Sequence, residues 1–265
     1  MLLLPYIIFF ALGLIIGSFL NVVICRINTS KSLRGRSACM SCESKLCWYE
    51  LIPVFSFLAL SGRCRSCKSK ISLQYPLVEL GSGVVFVALF CKFQNLLLTD
   101  PAVFALTYLY YAVAFSILLV IVGYDLRHMI IPDQLSLAFG VLAFFGLFFV
   151  NGGVFSLQFQ MPSTLEFFSG IFIATPFALL WLASRGAWMG LGDAKLALGL
   201  GWFLGLAFAL SALVLSFWVG TIIGLGLIFF ARGYGLKSQI PFAPYLVLGS
   251  FIAFIFELNL FQIYF

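Results

Sequence analysis

Long apolar runs alternate with short polar interruptions along this chain, and the runs have the length of membrane helices. A helix needs about 17 to 25 residues to cross a hydrocarbon core of about 30 Å. Runs of this kind extend over 2–24, 76–98, 102–122, 135–150, 165–183, 195–206, 209–230 and 241–260. The sixth is short, and its outer turn falls somewhere around Gly201 to Gly205. The pattern predicts an all-α polytopic membrane protein with about eight transmembrane helices. One sizeable polar interval, 26–75, predicts a small domain between the first two. The first run has no basic residue ahead of it and no small-residue cleavage site after it, so it reads as a retained helix rather than a signal peptide. Gly13 and Gly17 stand about one turn apart on it, a spacing that permits close helix packing.

Composition agrees. With 63% hydrophobic and 9% charged residues and a mean hydropathy of +1.14, the chain lies outside the range of ordinary soluble domains. Its charges also give an orientation. Of the 15 Lys and Arg, Arg26, Lys31, Arg34, Arg36, Lys45, Arg63, Arg65, Lys68 and Lys70 fall between the first two spans. Arg127, Arg185, Lys195, Arg232 and Lys237 fall at loops on the same face, and Lys92 alone lies toward the other. The positive-inside rule makes the base-rich face cytoplasmic, with both termini on the non-cytoplasmic side. Nucleic-acid binding is not indicated: the basic interval lacks a stacking-aromatic pattern, and topology already explains its charge.

Two CxxC pairs stand inside the polar interval, Cys39 with Cys42 and Cys64 with Cys67, separated by 21 residues. A tetrahedral Zn²⁺ takes four such thiolates and compensates for a core too small to fold unaided. The alternative is a disulfide pair, which a reducing cytosol disfavours. Cys25, Cys47 and Cys91 lack a paired spacing and read as small buried hydrophobes.

The remaining chemistry is carboxylate. Asp125 ends the third run and Asp193 opens the sixth at a matching depth. An acid so placed is either functional or a helix cap at the interface, and depth alone does not choose. Asp133, directly after Pro132 and ahead of a helical run, suits an N-cap. Gly190 and Gly192 flank Leu191 just before Asp193, allowing a peptide chain to come close to the acid. Lys195 either pairs with a carboxylate or marks the boundary. His128, the single histidine, reads as a boundary residue, and the 32 Phe as packing and lipid-facing groups.

Several segments together resemble the bacterial type IV prepilin peptidases, membrane aspartic proteases of the GxGD type that are usually also N-methyltransferases. GSFLNVVICR (17–26) is similar to the family's first-helix signature, and GRCRSCKSKISLQYPLVEL (62–80) to its cysteine block. DLRHMIIPD (125–133) and GLGDAKL (190–196) are similar to the two catalytic motifs, and PFAPYL (241–246) to the last helix. The chain departs from the family pattern at CMSC, where CPxC is common, at Ile27 and Asn28, where a proline is common, and at Ala243, where glycine is usual.

The resemblance implies a first transmembrane helix over 1–25, a cytoplasmic four-cysteine zinc domain associated with methyl transfer over 26–75, and an aspartic protease domain over 76–265. It assigns Asp125 and Asp193 as the catalytic dyad; beside that dyad Gly190, Gly192 and Lys195 are the expected substrate-binding residues, and Cys39, Cys42, Cys64 and Cys67 remain the expected metal ligands. Two carboxylates brought close share one proton, one acting as base toward water and the other as acid toward the carbonyl. The implied partners are prepilin or pseudopilin precursors and the lipid bilayer of the bacterial inner membrane. A basic leader is cut before an apolar helix, and the new amine is methylated from S-adenosylmethionine. Asn21 and Glu79 are candidate ligands for that methyl donor. Read without the resemblance, two membrane carboxylates also fit an ion-coupled transporter.

Overall fold

A computed structural model describes residues 3–29, 32, 35–230, 235 and 239–262. Lys31, Arg34, Arg232 and Lys237, four of the bases used above to orient the chain, lie outside these residues. The helices are α1 (Leu3–Arg26), α2 (Phe55–Ala59), α3 (Gln74–Thr99), α4 (Pro101–His128), α5 (Asp133–Phe149), α6 (Thr164–Ser184), α7 (Leu191–Phe230) and α8 (Ala243–Ile255). Among them α1, α3, α4, α6 and α7 are long and apolar enough to cross a membrane, while α5 and α8 are apolar but shorter. The expected run over 241–260 thus ends early as helix, where Glu257 turns at a φ of 51°. A small hairpin, Val150–Asn151 against Val154–Phe155, was not anticipated. Gly152 and Gly153, at φ 56° and 79°, supply the two left-handed residues that such a tight turn requires.

Helices α1 and α3 pack antiparallel in a register set by small residues. The Tyr6 hydroxyl donates to Gln94 Oε1 at 2.8 Å, and Asn21 Nδ2 donates to the Tyr75 carbonyl at 3.0 Å. Between these ends, a Cβ added at Gly13 would stand 2.6 Å from the Ser82 carbonyl oxygen, and one at Gly17 2.7 Å from Glu79 Cα. The GxxxG spacing therefore does bring two backbones together. Asp100 reverses the chain into α4, its carboxylate accepting from the Ala102 and Val103 N–H groups at 3.0 and 3.1 Å.

Helix α7 has 40 residues, about 60 Å if straight and twice a hydrocarbon core. It is not straight: Gly205, at φ 73° and ψ 167°, breaks it in a conformation that is essentially glycine-only. Contacts on either side show the two arms running in opposite directions. In the first arm, Asp193 lies in the field of Asp125, while Gly201 meets Gly170 near the start of α6. In the second arm, Ser211 accepts from the Leu260 N–H at 3.0 Å and Gly220 packs on Tyr245. Tyr245 follows Ala243, whose N–H reaches Asp125, so Gly220 has returned to the level of Asp193.

One end of the bundle gathers the close of α1, the starts of α3, α5, α7 and α8, and the end of α4, with Arg26, Arg127 and Lys195. At the other end the chain's first and last described turns lie near Gln94 and Lys92. Lys92 is neutralised there by Glu257 at 2.6 Å and sits 4.9 Å from the centre of the Phe254 ring. Phenylalanine supplies much of the core between. The Phe203 ring lies 5.5 Å from Phe115 and from Phe139, and Tyr111 lies 4.5 Å from Phe254.

Candidate active site

Asp125 occupies the last full turn of α4 and is 4% exposed. The helix stops just beyond it because Met129 adopts a left-handed φ of 54° and returns its N–H to the Asp125 carbonyl at 2.8 Å. The side chain lies in reach of the backbone of Ala243, the first residue of α8, whose N–H favours its charged form. A helix N-terminus offers unpaired N–H groups and positive potential, so α8 presents to Asp125 the end that a carboxylate prefers. Oδ2 is buried and, among the described residues, no group donates to it.

Asp193 lies in the first turn of α7, half-buried, with its own N–H directed to the Gly190 carbonyl at 3.3 Å. The charge of Asp125 acts on its carboxylate. Gly192 makes the approach possible. A Cβ there would stand 2.9 Å from Ile131 Cβ, in the loop immediately after Asp125, so a larger residue would push the two acid-bearing turns apart. Gly190 has a different part: its α-carbon faces the acid directly, an added Cβ lying 3.8 Å from Asp193 Oδ2.

Lys195 is exposed and binds Asp133 Oδ1 at 2.6 Å, tying the first turns of α7 and α5 together. That contact corrects the N-cap assigned to Asp133. Pro132 holds the cap position, so Asp133 is already helical and its carboxylate turns to the lysine instead. His128 is exposed and its ring lies tilted against that of Tyr124, with centres 4.4 Å apart.

At the same end of the bundle, the Sγ atoms of Cys39, Cys42, Cys64 and Cys67 all lie within 4.8 Å of one another. Cys39 and Cys67 Sγ are 3.8 Å apart, against about 3.8 Å for the edge of a tetrahedron with the usual zinc–sulfur bond length. The two knuckles repeat each other. The Cys39 N–H donates to the Ser44 carbonyl and the Cys64 N–H to that of Ser69, at 3.0 and 2.9 Å. Glu43 and Lys68, one position beyond the second cysteine of each pair, take left-handed φ values of 56° and 59°. Backbone N–H groups of Cys42 and Ser41 lower the Cys39 thiol to about 6, which favours the thiolate that a metal ligand requires. All seven cysteines are free, so the cluster is suited to a metal rather than joined by disulfides.

The N-terminal part, residues 11–93, matches the model of the bacterial peptidase A24 N-terminal domain, and residues 112–225 match the type IV leader peptidase family. A Bacillus subtilis protein called prepilin leader peptidase/N-methyltransferase is 30% identical over 262 residues, covering 97% of this chain and 96% of the relative. The chain belongs to the type IV leader peptidase family. Relatives of the same name from Aeromonas hydrophila (33% over 273 residues, 92% of this chain and 88% of the relative) and Myxococcus xanthus (35% over 221 residues, 82% and 61%) agree. This chain therefore spans less than two thirds of the Myxococcus relative's length. No solved structure matches it. These matches lend the transporter reading no support.

Membership of the leader peptidase family leaves several residues to be placed by the structure itself. Asn21 and Glu79 are buried, 1% and 7% exposed. Asn21 donates to Tyr75, joining α1 to the start of α3, and Glu79 Oε2 accepts the Val54 N–H at 2.7 Å, fastening the segment between α1 and α3 to the bundle. Nor are the unpaired cysteines all buried. Cys91 is exposed, Cys25 receives Arg127 Nη1 at 3.4 Å, and Cys47 receives Arg65 Nη2 at 3.7 Å. Asn28 takes a left-handed φ of 55° where a proline is common in the family, a conformation the proline ring forbids. Ala243 in place of glycine keeps the N–H that reaches Asp125. Sequence reasoning gave that N–H no role, because backbone groups have no signature in side-chain patterns.

Proposed function

We infer that this chain is a membrane aspartic endopeptidase with Asp125 and Asp193 as its dyad. It removes the basic leader from prepilin-like precursors and methylates the exposed amine. The observation that supports the reading is the packing of the start of α7 on the loop that follows α4, where Gly192 lies against Ile131, so that the turns bearing Asp193 and Asp125 are neighbours at the end of the bundle that also bears the cysteine module. The pair holds one proton between its members. Its ionised member takes a proton from water as the oxygen attacks the scissile carbonyl, and the protonated member donates to the carbonyl oxygen. The Ala243 N–H orients Asp125, Gly192 sets the approach of the two turns, and the open backbone at Gly190 and Gly192 receives the extended peptide.

On this reading eight segments cross the inner membrane, the two arms of α7 counting separately, with both termini outside and the dyad at the cytoplasmic boundary. A leader rich in bases then stays in the cytoplasm while the apolar helix that follows it starts in the bilayer. Cys39, Cys42, Cys64 and Cys67 hold a structural Zn²⁺ that supplies fold stability to a module with little core. Methyl transfer rests on the name shared by the relatives, with S-adenosylmethionine as donor.

The test is to incubate the detergent-solubilised protein with a prepilin-like precursor and S-adenosylmethionine and to read the product's mass. Loss of the leader plus a methyl increment is expected. An unaltered precursor under conditions where a known leader peptidase cleaves it would reject the proposal.

A further inference from the structure

Residues 51–60, LIPVFSFLAL, form an apolar stretch inside an otherwise basic interval. A run of about ten apolar residues is too short to span a bilayer and has the length of a re-entrant or interfacial segment. The structure does not hold this stretch out in the aqueous phase with the cysteine knuckles. It folds back beside α1. Leu51 and Pro53 share the walls of an open groove of about 270 Å³ with Ile15, Ser18, Phe19 and Val22 of α1 and with Ser37, just ahead of the first knuckle. The Val54 N–H is bonded to Glu79, and Glu79 is level with Gly17. Gly17 precedes Arg26 by nine residues, about 13 Å along the helix axis. Arg26 and Arg127 mark the boundary, Arg127 reaching Cys25 at 3.4 Å. The Pro53–Val54 turn therefore lies well below the level of the basic residues, beside parts of α1 and α3 that are themselves membrane helix.

Backbone at such a depth is tolerated only when its polar groups are paired, and much of this segment's backbone has partners within the protein. The Phe55, Ser56, Leu58 and Leu60 N–H groups donate to the Pro53, Ile52, Val54 and Ser56 carbonyls at 2.6, 3.1, 3.1 and 3.0 Å. Pro53 has no N–H to lose. Val54, bent to a φ of 62°, is the first residue ahead of α2 and takes its partner from the buried carboxylate of Glu79. The outer side of the stretch is apolar and uncovered: Phe55 is 68% and Leu58 66% exposed. Phe19, which lines the same groove as Leu51 and Pro53, is likewise an exposed apolar residue of a spanning helix, as is Leu77 of α3. In water a patch of this kind is a liability; against acyl chains it is matched.

We propose that residues 51–60 are a re-entrant segment seated in the inner leaflet, with phospholipid acyl chains as its partner and Glu79 as the strut that holds it there. The proposal rests on α1 and α3 spanning the membrane. It makes the cysteine module a unit moored in the bilayer beside the dyad rather than a freely suspended cytoplasmic domain.

The wild-type protein in phosphatidylcholine–phosphatidylglycerol vesicles containing a lipid with a photoactivatable diazirine in its acyl chain provides the test, with adducts located by peptide mass mapping. Label on Phe55 and Leu58 comparable to that on Phe19, with none on Met40 of the first knuckle, is expected. Label on Phe19 and Leu77 with none on Phe55 and Leu58 would overturn the proposal while leaving the membrane reading intact. No label on any of the four would overturn both. A covalent link from Phe55 to a second copy, trapped by a photo-crosslinking residue at position 55, would show that protein covers the patch and would overturn it as well.

Discussion

Gly192 shows how much of the site depends on single atoms. Its missing Cβ leaves room for Ile131, whose own Cβ would otherwise lie 2.9 Å away. Gly192→Ala is expected to displace the α7 turn and to lower turnover about a hundredfold, the order of effect that follows from roughly 1 Å of misplacement. Gly190→Ala meets its nearest neighbour only at 3.8 Å and should fold normally. The decisive check is the double variant: adding Ile131→Gly to Gly192→Ala should restore a measurable part of the cleavage rate, which a general loss of stability would not permit. At this scale the sequence was only partly informative. The motif around Asp193 displayed both glycines, but not that one clears a neighbouring loop while the other faces the acid. Asp133 was misread because a Pro–Asp pair suits a cap whichever residue takes it, and the lysine that captured its carboxylate comes from a distant helix.

Helix positions were legible from the apolar runs; directions and breaks were less so. Gly205 lies within the Gly201–Gly205 stretch where the sequence places an outer turn between the sixth and seventh runs; apolar character continues through it, so the residue that makes the break is not singled out. Gly205→Ala should cost about 1–3 kcal/mol, since its backbone conformation is closed to residues bearing a Cβ. Thermal unfolding in detergent would register the loss, and an unchanged midpoint would mean that the arms do not reverse there. The cysteine module depends on its metal in the same way. Cys64→Ser is expected to lower bound zinc from about one ion per chain to a small fraction and to render the interval between α1 and α3 sensitive to protease. A variant that stays protease-resistant without zinc would show the module to be held by other contacts. Its cysteine pairs were plain in the sequence. The apolar stretch within it was obscured because the charges on either side dominate any average over the interval.

For the whole molecule, the distribution of bases predicted one face, and the structure gathers Arg26, Arg127 and Lys195 at the end that carries both aspartates. The first and last described turns lie at the other end with Lys92, which Glu257 neutralises. A C-terminal fusion to alkaline phosphatase is accordingly expected to be active and a fusion to green fluorescent protein dark; the reverse would invert the assigned orientation. Family resemblance carried the reaction further than hydropathy did, since depth alone left each acid equally suited to a cap.

The central claim is that Asp125 and Asp193 work as one unit, and a double-mutant comparison of cleavage rates tests it most directly. Asp125→Asn and Asp193→Asn should each reduce leader removal by about 10²–10⁴-fold, and the double variant should be little worse than either alone, as for groups that share one task. Independent losses that multiply in the double variant, or a single variant that cleaves at the wild-type rate, would contradict it.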